Sequence, residues 1–109
     1  MVRSFAMADV TKHRKAAIQR ALEGEGRTSA AERKAAFANE GVAEPARALI
    51  DKVAKQAWKI TDEDVAAAKR GLSEDQVFEL VVCAAYGQAT RQLEAALAAL
   101  DEAAKKESA

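Results

Sequence analysis

Three short signals divide this chain: Ser29 with Glu32, Thr61 with Asp64, and Ser73 with Gln76. Each places a small hydroxyl residue three positions ahead of a carboxylate or amide. At that spacing the hydroxyl can accept from the third N–H of a helix, while the later side chain reaches back to the cap N–H. A helix is expected to start at each signal, so three of the chain's elements are fixed as helical before any periodicity is considered. Composition agrees: alanine, the best helix former, is abundant, and aromatic residues make up only 5% of the chain. The expected fold class is all-α, a compact bundle of about five helices.

The remaining boundaries follow from apolar spacing and breakers. A first helix is expected from near Asp9 or Thr11, with Val10, Ala17, Ile18, Ala21 and Leu22 on one stripe. Gly24 and Gly26 then stop it, and Glu23 to Ser29 reads as a mobile connection. The second helix, "AAERKAAFANE", is expected to end at Gly41. Pro45 is placed in the first turn of a third, "PARALIDKVAKQAWKI", whose stripe is Leu49, Ile50, Val53, Ala57 and Trp58. A short fourth helix runs from Thr61 to Gly71. The longest is expected from Glu74 to about Ala104, with a frayed tail. Its first half, "VFELVVCAAYG", is apolar nearly all round, which calls for burial on most sides.

Charge and residue counts exclude several functions. Lys plus Arg and Asp plus Glu both number 17, which argues against nucleic-acid binding and leaves no net charge to keep copies apart. One cysteine and one histidine exclude an internal disulfide and the usual Cys- or His-pair metal motifs, so neither metal nor cofactor is expected. No apolar run is long enough to span a bilayer, and the N-terminus lacks a secretory apolar core, so a cytoplasmic protein without membrane contact is expected.

The segments "LIDKVAKQAW", "ITDEDVAAAKR", "GLSEDQVFELV" and "GQATRQLEAAL" follow one another between Pro45 and Leu100. In that order they resemble the later part of the AhpD-like, or carboxymuconolactone decarboxylase-like, family. The resemblance implies a single AhpD-like domain over residues 1–109, strongest over 45–100, assembled as a homo-oligomer, with a trimer or hexamer favoured. It also implies one of two activities. One is thiol peroxidase chemistry through a C-x-x-C pair, with a Glu and a His relaying protons. The other is decarboxylation of a lactone acid. The peroxidase motif requires a second cysteine three residues from the first and a histidine four residues further on. With Cys83 as the first cysteine, those places hold Tyr86 and Thr90. With Cys83 as the second, Leu80 and Gly87 stand there. The pair is absent, and His13 lies far away in sequence.

Candidate catalytic residues are Glu79, Cys83 and Tyr86. Glu79 interrupts an apolar helix, where a charge needs a partner or a chemical duty, and Tyr86 is a candidate proton partner. Cys83 lies too deep in its helix for the dipole to activate it, and Glu79 would raise its pKa, so a structural thiol is the favoured reading. For Glu79 the competing reading is an ion pair. Gln88, Arg91 and Trp58 are candidate ligand-binding residues. Arg91 could hold a carboxylate or pair with Glu94, Gly87 could permit a close helix crossing, and Trp58 could equally be core. The basic run Lys12 to Lys15 could dock an acidic partner or simply face water. The function expected is that of an oligomeric accessory, binding or structural protein, taking a protein partner or a small-molecule ligand. The alternatives are a decarboxylase-like enzyme with a pocket between subunits, or a one-cysteine thiol peroxidase using Cys83.

Overall fold

The fold is that of a computed structural model, which describes residues 2–108, with side chains from residue 12 through 107. Five α-helices follow in order: α1 (Val2–Glu23), α2 (Ala30–Ala38), α3 (Arg47–Lys55), α4 (Asp62–Lys69) and α5 (Glu74–Ser108). A 3-10 turn, Ala57–Lys59, separates α3 from α4, and no strand occurs among the described residues. The molecule measures 55 × 29 × 20 Å. The long dimension matches α5, since 35 residues at 1.5 Å each make a rod of about 52 Å.

All three capping signals form. Ser29 Oγ accepts from Glu32 N at 3.1 Å and Glu32 Oε1 from Ser29 N at 3.1 Å. Thr61 and Asp64 repeat the exchange at the start of α4. Ser73 and Gln76 repeat it at the start of α5. α2 ends earlier than expected: Asn39 takes the left-handed conformation (φ 53°), and the Glu40 N–H reaches back to the Ala35 carbonyl at 3.0 Å. This is a Schellman-type stop, and Gly41 follows it at φ 73° rather than making it.

The third helix is shorter than its apolar stripe suggests. Pro45 lies outside it, after a cis Glu44–Pro45 peptide, with its ring against Gly71. Leu49, Ile50 and Ala54 are buried in the core, but the helix stops at Lys55. Trp58 therefore falls off the stripe and stands 78% exposed, outside the core. An unbroken helix would carry the α4 cap away from Lys52, whose ammonium meets Asp64 Oδ2 at 2.7 Å. The 3-10 turn reverses the chain and returns Ile60 to the core edge.

α2 and α3 pack on one face of α5, around Ala36, Leu49, Ile50, Val77, Leu80, Cys83 and Ala84. Four of the ten buried core residues are alanines, Ala36, Ala46, Ala68 and Ala84, so helix axes must come close for the core to fill. At the α2–α5 crossing the approach is closest: a Cβ on Gly87 would collide with the Phe37 carbonyl. Burial of the first half of α5 is one-sided, because Phe78 and Tyr86 point outward. α1 begins several residues before the expected start, and the side chain of Val10 lies outside the described ones. The far end of α5 remains helical to Ser108, with no frayed turn from Ala104.

Candidate functional site

The connection from Glu23 to Ser29, expected to be mobile, is heavily tied from Gly24 onward. α5 presents Glu79 to it. Glu79 Oε1 accepts from the Thr28 N–H at 2.9 Å and the Thr28 hydroxyl at 2.8 Å. Glu79 Oε2 accepts from the Arg27 N–H at 2.7 Å. One turn earlier, Gln76 Nε2 donates to the Arg27 carbonyl at 3.1 Å. The loop lies so close to the carboxylate that a Cβ at Gly26 would stand 2.8 Å from Glu79 Oε1. Glycine is the residue that lets the backbone N–H groups reach it.

These bonds settle what the charge at Glu79 meets. Its partners are main-chain and hydroxyl donors rather than an ion pair. Donation from Arg27 N–H, with further help from Thr28 and the nearby Arg33 guanidinium, holds the carboxyl below its ordinary pKa, against an opposing desolvation effect. A carboxylate so held is a poor proton acceptor at neutral pH, since a general base works best with a pKa near the operating pH.

Arg33 occupies the other side of the loop. It is buried, and its Nη1 donates to the carbonyls of Gly24 at 2.7 Å and Ala21 at 3.1 Å, with Nε on Ser29 at 3.4 Å. These are the unpaired carbonyls at the end of α1, where a cation also opposes the helix dipole. Arg33 carries no signal in the sequence, because "AAERKAAFANE" looks like a solvated helix with alternating charge. Thr28 and Gly26 were missed because nothing in the local sequence links them to a residue some fifty positions away.

Cys83 lies behind this arrangement, almost fully buried. Its Sγ sits 3.7 Å from the Ala21 carbonyl. Burial pushes the thiol pKa up, Arg33 opposes that, and Glu79 adds to it. Cys83, Glu79, Arg20, Arg33, Phe78 and Val82 border a small cavity of about 200 Å³. The structure thus brings two candidate catalytic residues together, Glu79 and Cys83. Tyr86 is not among the cavity's lining, and none of the four hydrogen bonds to Glu79 comes from it.

Of the candidate ligand residues, Gln88 and Arg91 lie together on α5. Arg91 Nη1 donates to the Phe37 carbonyl at 2.8 Å and pairs with Gln88 Oε1 through Nη2 at 3.3 Å, not with Glu94. It caps the end of α2 over Gly87, so the crossing that Gly87 permits and the carbonyl that Arg91 satisfies are one feature. Lys12, His13 and Lys15 are exposed on α1. Among the described residues no group of three or more His, Cys, Asp or Glu is placed to hold a metal ion, and no helix is long and apolar enough to cross a membrane. No protein-family model, curated protein or solved structure matches the chain.

Proposed function

We propose that this protein is a self-associating helical binding or accessory protein on an AhpD-like scaffold, in which the residues best suited to chemistry serve the fold instead. The observation that carries this reading is the saturation of Glu79, whose two carboxylate oxygens are taken up by Arg27 and Thr28. A thiol whose pKa is raised by burial supports it, because the thiolate is the reactive form. What is left for function is surface, above all the outward apolar face of α5.

A second reading, one-cysteine peroxide reduction, draws on the cavity beside Cys83. There the thiolate would attack a hydroperoxide oxygen, the O–O bond would break to release an alcohol once protonated, and an external dithiol would reduce the resulting sulfenic acid. The decarboxylase reading has less support, because Glu79 is turned to the loop and Arg91 to the Phe37 carbonyl.

A hydroperoxide-consumption assay with a dithiol reductant separates the two readings. The accessory reading expects the wild type and Cys83→Ser to match the rate without protein. Consumption by the wild type that disappears in Cys83→Ser overturns it.

A further inference from the structure

Beyond the Phe37 crossing, α5 leaves the bundle, and every side chain from Arg91 to Glu107 is exposed. A helical stretch of this length has little stability of its own in water unless its apolar side is covered. Its large apolar residues share one side of the helix. Tyr86, Leu93 and Leu100 recur every seventh residue, and Ala89, Ala96 and Ala103 follow each by three. This is a heptad repeat with a large residue at one seam position and alanine at the other. At 100° per residue the seam lies across the helix from Leu80, Ala84 and Gly87, which face the core. Leu100 at its far end is 66% exposed.

We propose that this face is an interface with a second copy of the chain, in which the two α5 helices pair antiparallel about a two-fold axis between Glu94 and Ala95. The inference rests on the self-associating reading above and names its geometry. In that register Tyr86 meets Ala103 of the other copy, Ala89 meets Leu100, and Leu93 meets Ala96. Every layer sets a large residue against a small one, which fills space and lets the axes approach. A parallel pair would instead stack alanine on alanine in alternate layers, leaving gaps.

The helix dipoles favour the same orientation. A parallel pair would align the two dipoles with their like ends together. The antiparallel pair opposes them. The seam is also lightly charged at its edges: Thr90, Gln92, Leu97 and Ala99 flank it, with Lys106 as the one ionised edge residue. With equal numbers of acidic and basic residues, the whole chain offers no repulsion to a second copy. The register stops at Tyr86 because Val82 and Cys83 lie against the end of α1 and border the cavity there.

The test combines solution mass with one distance. In the full chain carrying Cys83→Ala, a spin label on Lys106→Cys should report a separation of about 35 Å across the pair, since residue 106 of one copy lies opposite position 83 of the other. The unmodified protein should have the mass of a dimer, and Leu100→Glu, at an exposed position, should shift it to monomer while retaining its helix content. A trimer or hexamer, or labels about one interhelical spacing apart (about 10 Å), overturns this seam but leaves self-association standing. A monomer at high micromolar concentration overturns both, and means that the chain's own first helix or solvent covers the face.

Discussion

Replacing Gly87 with alanine is expected to destabilise the protein by about 3 kcal/mol through overpacking at a close helix crossing. The new methyl would meet the Phe37 carbonyl, which is backbone and cannot swing aside. α2 must then move off α5, opening the most extensive helix contact in the molecule and withdrawing the Phe37 carbonyl from Arg91. The sign is the informative part. At a helix position facing water, glycine to alanine would stabilise by about 1 kcal/mol through helix propensity alone. Urea unfolding followed by circular dichroism measures the difference. A variant as stable as the wild type, or more so, would mean that α2 does not cross α5 at Gly87.

Replacing Glu79 with alanine is expected to cost a similar amount, about 3 kcal/mol, because several hydrogen bonds to a charged acceptor are lost together and the Arg27 and Thr28 N–H groups are left without their partner. The loss should depend on pH in one direction. The native pKa of Glu79 is depressed below its unfolded value. The stabilisation is therefore fully present above the ordinary glutamate range, and it disappears as pH falls through the lower native value. Unfolding measured from neutral pH down to about pH 3 should show the wild type and Glu79→Ala far apart at the top and converging below about pH 4. A constant gap across that range would show that the carboxylate charge contributes nothing to the loop.

Elements whose cause is local were legible in the sequence. Ser29, Thr61 and Ser73 announce their helices through side chains three residues away, and all three caps form. The long fifth helix was visible for the same reason. Gly87 as a crossing point could be suspected from a glycine inside an otherwise strong helix former. Failures occurred where a distant partner decides. The α3 stripe continues to Trp58 on paper, yet the helix stops at Lys55 because α4 must come back to Lys52. Two glycines and five polar residues make Glu23 to Ser29 look mobile, but three side chains from α2 and α5 hold it.

The candidate site divides in the same way. Glu79 was conspicuous as a charge in an apolar run, and it does need partners. Those partners are main-chain N–H groups, which carry no sequence signature. Cys83 could be read as inert from its depth in the helix, and burial with a raised pKa agrees with that reading. Arg33 gave no signal, because its importance lies in carbonyls at the end of another helix.

If Cys83 and Glu79 are committed to the fold, the rate at which Cys83 reacts with a thiol reagent must follow unfolding. Followed across a denaturant series, labelling should be slow in native conditions and rise only along the global unfolding transition, in step with the loss of helix signal. Rapid labelling of the folded protein, at a rate approaching that of a free thiol, would show an accessible and ionisable sulfur and contradict a structural role for Cys83.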